Sequence, residues 1–134
     1  MAVYLFVYGS LMTGLQNHHL LQPFLLRTLP ARADGIQLYP VHPDWPGAAP
    51  GPGVVLGELV ELDQTRLSEA FAVLDELEDH YGPGDPRNLY VRSEMEVRSE
   101  SGEPFRAWIY LWAQPTGCLK PIPGGDWRSI LPEG

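Results

Sequence analysis

The chain has 134 residues and a formal charge of −8 at pH 7, with 44% hydrophobic residues. That length suits one domain with a genuine core, expected over residues 1–134, and the apolar content excludes a disordered chain. The acidic balance argues against a nucleic-acid partner, which basic patches would have to meet, but it leaves room for a small anionic ligand, because a nest of backbone N–H groups outweighs net charge locally.

Fourteen glycines and fourteen prolines predict many turns and few long helices. The one cysteine, Cys118, has no internal disulfide partner. No apolar run approaches the roughly 20 residues that span a bilayer, and no basic region precedes the first apolar run, so no membrane association and no secretory leader are expected. A cytoplasmic protein is the expectation.

In chain order, Val3 to Tyr8 is a continuous run of β-branched and aromatic residues closed by Gly9. It predicts a strand buried on both faces. Gly9-Ser10 then breaks it, either as a plain turn or as a loop whose N–H groups face an oxyanion or carboxylate. Leu15 to Leu26 predicts a short helix ending before Pro23. Its adjacent His18 and His19 point about 100° apart on a helix, so they read as a solvated pair rather than metal ligands. Arg27 to Val41 predicts one or two strands interrupted near Asp34-Gly35. The run from Pro40 to Gly53 is so rich in proline and glycine that a surface loop is expected. His42 and Trp45 stand at its start, where they overhang a site or simply pin the loop.

Val54 to Leu62 reads as a strand, with one face wet in its second half. Asp63 is placed to cap a helix from about Thr65 to Glu78. Leu67, Ala70, Phe71, Leu74 and Leu77 recur along one buried helical face. Glu78 continues that stripe, four residues after Leu74 and seven after Phe71. Either the helix frays there and the carboxylate reaches water, or an acid sits on an apolar wall. A turn-rich loop at residues 82–86 precedes a hairpin of Tyr90 to Arg98 and Phe105 to Trp112.

Antiparallel strands joined by hairpins, with few helices, predict an α+β fold whose sheet is curved or closed into a small barrel, with one main helix beside it. If Glu78 and the Gly9-Ser10 loop line one cavity, a carboxylate raised in pKa by burial stands beside an anion subsite, an arrangement suited to acid/base chemistry. Tyr8, Tyr90 and Tyr110 either add hydroxyl hydrogen bonds or fill the core. No Walker loop, dinucleotide fingerprint, calcium loop or nucleophile elbow occurs, and no metal or other cofactor is expected.

The order of these segments also resembles a family. Phe6-Val7-Tyr8-Gly9-Ser10-Leu11, Leu74-Asp75-Glu76-Leu77-Glu78, Leu89-Tyr90-Val91-Arg92 and Ala107-Trp108-Ile109-Tyr110 are similar to the motifs of the γ-glutamylcyclotransferase-like (AIG2-like) family. The resemblance implies a mixed barrel-like sheet of five or six strands with the long helix packed beside it. It also implies a small-molecule partner, a γ-glutamyl amide that cyclises to 5-oxoproline and frees an amine without a cofactor. Tyr8, Gly9, Ser10 and Leu11 would hold the γ-glutamyl group, and Glu78 would be the acid/base residue. Arg92 and Tyr110 match recurrent positions near the family's site. Two departures are Asp79, where glycine often follows the glutamate, and the long segment from His80 to Asn88, which is placed to cover the site. The rival readings are a binding module on the same fold without chemistry, and an interaction domain whose Pro/Gly segment meets a protein partner.

Overall fold

A computed structural model describes residues 2–131. Five strands close into a barrel: β1 (Val3–Val7), β2 (Leu25–His42), β3 (Trp45–Leu62), β4 (Tyr90–Ser99) and β5 (Pro104–Trp112), neighbouring in the order β1-β3-β2-β4-β5. Two α-helices accompany them, α1 (His18–Leu21) and α2 (Leu67–Leu77). The strand β1 is central. It runs antiparallel to β3, from Val3 opposite Leu62 to Val7 opposite Glu58. It runs parallel to β5, with Leu5 opposite Trp108. Closure on both edges explains why its sequence is apolar throughout; Leu5, Phe6 and Val7 are buried.

The run from Pro40 to Gly53, expected as a loop, is instead the end of one long hairpin. The strands β2 and β3 continue through it, Tyr39 opposite Gly47 and His42 opposite Trp45, and turn at Pro43-Asp44. Proline is tolerated in a strand where no ladder donor is needed. The interruption expected near Asp34-Gly35 is a bulge within one continuous strand: the register shifts between Asp34 and Ile36, and Gly35 takes a φ of 81°. A side chain there would be strained.

The predicted cap at Asp63 forms, its carboxylate accepting from the Thr65 N–H at 3.0 Å. One 3₁₀ turn follows, then α2, which buries Ala70 and Leu74. The helix packs on the face of β5 that carries Trp108 and Tyr110. Phe71 meets Trp108 edge-to-face at 5.8 Å. Strand alternation sends Ala107 and Ile109, both buried, to the opposite face. No helix of the described residues is long and apolar enough to cross a membrane.

Candidate active site

A partly open cavity of about 180 Å³ lies where the end of β1, the end of α2 and the tip of the β2–β3 hairpin meet. It is lined by Tyr8, Gly9, Ser10 and Leu11 from the loop after β1 and by Glu78 and Asp79 after α2. Asn17, Trp45, Pro46, Tyr90 and Tyr110 complete most of its wall. The volume suits a small ligand rather than the drug-sized ones that need roughly 300 Å³ or more.

The loop is a tight, pinned turn. Met12 N–H donates to Gly9 O at 3.1 Å, and Asn17 N–H donates to Ser10 O at 2.8 Å. The Asn17 amide donates to Ser10 Oγ at 2.9 Å, and His18 Nδ1 bonds Leu11 O at 2.9 Å. His18 therefore holds the loop rather than being merely solvated, whereas His19 is exposed. Among the described residues the N–H groups of Ser10 and Leu11 have no acceptor. Gly9 is required for a close approach: a Cβ there would stand 2.7 Å from Pro46 Cδ.

Glu78 is the last residue before the chain turns away from α2. Asp79 N–H donates to Glu76 O at 3.3 Å and His80 N–H to Asp75 O at 2.9 Å. This pair of bonds is a Schellman cap, which requires a left-handed residue at the first position beyond the helix. Asp79 takes that conformation, with a φ of 50°. Aspartate is among the few non-glycine residues that do so readily, so the turn survives the departure from glycine. The cap stops the helix and aims the half-buried Glu78 side chain into the cavity. Among the described residues its carboxylate makes no hydrogen bond. Burial raises its pKa from 4.5 to about 7, and the charge of Asp79 pushes the same way.

The tyrosines are wired outward. Tyr8, buried, donates to Tyr110 O and accepts from Ala48 N–H at 3.2 Å, tying β1, β3 and β5 together. Its ring lines the cavity, but its hydroxyl is committed to the sheet rather than to a ligand. Tyr90 donates to Pro46 O at 2.6 Å and Tyr110 to Asp75 Oδ1 at 2.6 Å. Burial, the main cause, raises the pKa of all three phenols and keeps them protonated.

Arg92 does not line the cavity. Its guanidinium donates to both oxygens of Asp75 at 3.1 Å and lies over the Phe71 ring at 4.1 Å. It acts one layer behind Tyr110. The segment from His80 to Asn88 does not cover the cavity either; only its flanks, Asp79 and Leu89, line it. It is folded on itself around buried Asn88, whose side chain accepts from Tyr81 N–H at 2.6 Å and donates to Gly82 O at 2.7 Å. Pro46 and Asp75 carry no signal of their own in the sequence, since each works through a partner distant in the chain, Tyr90 and Tyr110; Asn17 works through Ser10, seven residues away. Trp45 lines the cavity with His42 stacked on it at 3.5 Å. Among the described residues no group of three or more His, Cys, Asp or Glu is placed to hold a metal ion.

Comparison with known proteins relates the chain, by sequence and by fold, to a known lineage. The sequence model of the family described as "Gamma-glutamyl cyclotransferase, AIG2-like" matches residues 5–129. The chain is 36% identical over 108 residues to a γ-L-glutamyl-butirosin B γ-glutamyl cyclotransferase of Niallia circulans, covering 81% of this chain but only 65% of that protein. It is 34% identical over 129 residues to the γ-glutamylcyclotransferase family protein YtfP of Escherichia coli strain K12, covering 92% of this chain and 94% of that one. Its fold is that of a mouse AIG2-like protein, with a TM-score of 0.69 at 24% identity over 98% of this chain and 91% of that chain.

Proposed function

The chain belongs to the γ-glutamyl cyclotransferase, AIG2-like family, and from that premise we propose that it cyclises a γ-glutamyl amide to 5-oxoproline and releases the amine. The observation that carries this reading is the Glu78 carboxyl: half-buried, without a hydrogen-bond partner among the described residues, poised near pH 7, and in one cavity with unpaired loop N–H groups. A group with a pKa near the working pH serves equally as base and as acid.

In the proposed reaction the N–H groups of Ser10 and Leu11 hold the γ-glutamyl unit at its negative or carbonyl oxygens. Ionised Glu78 takes a proton from the substrate's α-ammonium. The freed amine attacks the γ-carbonyl carbon, the new C–N bond closes the five-membered ring, and the old amide C–N bond breaks. Glu78 returns its proton to the departing nitrogen, then takes the second proton that the ring nitrogen sheds on becoming an amide and passes it to the free amine, which leaves as its ammonium. Nucleophile and electrophile share one molecule, so holding them in a folded, near-attack shape supplies much of the acceleration. Tyr8, Tyr90 and Tyr110 shape the wall against which that fold forms.

Incubation of the purified protein with a panel of γ-glutamyl amides, read by mass spectrometry for 5-oxoproline, tests the proposal. Product from the parent and at least ~100-fold less from Glu78→Gln is the expected result. Binding of γ-glutamyl compounds with no product from the parent would instead make the chain a binding module.

A further inference from the structure

We propose that Arg128, on the segment that follows the barrel, is a positioning residue for the ligand loop and sets how tightly the site holds a γ-glutamyl unit. The inference rests on the cyclotransferase reading and concerns a residue that touches no substrate.

The two unpaired donors of the loop are aimed from behind. In a trans peptide the C=O and the next N–H point opposite ways. Gly9 O is held by Met12 N–H at 3.1 Å, which turns the Ser10 N–H out of the turn. Ser10 O is held by Asn17 N–H at 2.8 Å, which does the same for the Leu11 N–H. The second bond comes from an arm, residues 13–17, in which every residue is exposed or half-buried. Packing does not fix that arm, so polar contacts must.

Those contacts start at Thr13. Glu58 stands on β3 opposite Val7, where β1 ends. Its Oε1 accepts from Thr13 N–H at 2.7 Å and from Thr13 Oγ1 at 3.0 Å. One Arg128 nitrogen donates to Thr13 O at 2.6 Å and reaches Glu58 Oε2 at 3.4 Å. Arg128 thus closes the ring, and it neutralises a carboxylate at the foot of a loop that must accept negative oxygens.

The segment that carries this guanidinium is itself rooted on the barrel. Ile122 N–H donates to Leu38 O at 2.7 Å, and Trp127 is buried. Gly125 lies so close to β3 that a Cβ there would collide with Val54 O. The Arg128 N–H donates to Asp126 Oδ1 at 3.0 Å. With its side chain 43% exposed, Arg128 adds little to stability as a surface ion pair. Its effect is expected on binding rather than on melting.

Arg128→Ala, Arg128→Lys and Ser129→Ala separate the two roles. Ser129→Ala breaks the bond from Ser129 Oγ to Asp126 O, at 2.7 Å, and so loosens the same turn without touching the loop. The substrate is the γ-glutamyl amide of the panel above that the parent turns over fastest, with 5-oxoproline as the competing ligand. Arg128→Ala should raise both KM and the 5-oxoproline inhibition constant about tenfold, the scale of one well-placed hydrogen bond. Its kcat should stay near the parent's, as when uniform binding is lost. Arg128→Lys, which keeps a cationic donor on a long stem, should recover part of both constants, and Ser129→Ala should leave both unchanged. The inference is overturned if Arg128→Ala keeps the parent's two constants, if Arg128→Lys recovers nothing, or if Ser129→Ala raises them as much. Absence of 5-oxoproline from the parent with every member of the panel would remove the cyclotransferase reading itself, and this inference with it.

Discussion

The phenol of Tyr110 donates to Oδ1 of Asp75 at 2.6 Å across the interface between β5 and α2. The same carboxylate takes both of its remaining hydrogen bonds from Arg92. The helix that delivers Glu78 is thereby locked to the strand that forms the opposite wall. Arg92→Ala should lower stability by about 1–3 kcal/mol, the range for stranding a charged hydrogen-bonded partner, while KM for a γ-glutamyl substrate stays near the parent value. Melting curves and steady-state kinetics on one preparation check this. A large KM rise with unchanged melting would return Arg92 to direct ligand contact.

Position 9 should be sterically intolerant. Pro46 occupies the space a Cβ would need, and Pro46 is itself held by Tyr90. Gly9→Val is expected to abolish turnover and to lower the melting temperature. Ser10→Ala keeps the N–H groups and loses only the Asn17 bond, so it should retain most activity with a stability loss of about 1 kcal/mol. Equal activity in Gly9→Val and the parent would reduce the loop to a plain turn.

For Glu78 the sign of the pH effect is fixed by the direction of its shift. Its folded pKa, about 7, is raised above the ordinary 4.5. The folded state binds that proton more tightly, so the stabilising contribution is full below pH 4.5 and is lost as pH rises to about 7. Glu78→Gln keeps the shape without the charge. Its melting temperature relative to the parent should climb across that window, while activity falls at least ~100-fold. In the parent, kcat/KM should rise with pH along an acid limb near pH 7 and then level. A structural ion pair at Glu78 would show the reverse, with lower stability and activity kept.

Asp79 makes two effects separable. Asp79→Gly removes a Cβ from a left-handed residue and a negative charge from beside Glu78. It should melt no lower than the parent, and the acid limb of kcat/KM should move to lower pH. Asp79→Ala removes the same charge but leaves a Cβ in the left-handed region, where it costs roughly 1 kcal/mol or more. The same shift in the acid limb with a lower melting temperature is expected. A limb that stays put in both variants would show that burial alone sets the Glu78 pKa.

Much of this architecture is legible in residue order, because it rests on local periodicity. The apolar run of Val3 to Val7, the helical stripe ending at Glu78 and the alternation along Phe105 to Trp112 each declare an element and a face. The Asp63 cap and the Gly35 bulge are likewise local chemistry. What escapes is set by partners far along the chain. Pro46 and Pro50 look like breakers until a strand alignment shows that no donor is needed from them. Arg92 looks like a site cation until Asp75, 17 residues away, is seen to claim it. Tyr8 occupies a motif position, but nothing in the motif tells where its hydroxyl hydrogen points. His18 is unreadable for the same reason.

The long β2–β3 hairpin has a consequence for how the molecule is assembled in time. Its two strands are joined by two residues and close at little entropic cost, so they are expected to zip early. The strand β1 can pair with β3 on one edge, but its other edge must wait: the parallel neighbour lies at Trp108, some hundred residues later. A growing chain therefore carries its ligand loop on a strand held on one edge only, by β3, until β5 is available to close the other. Pulse-labelled amide exchange during refolding should protect β2 and β3 before β1. The cavity, on this order of events, comes into being only with the last seam of the barrel, so no partly folded chain offers a half-formed site.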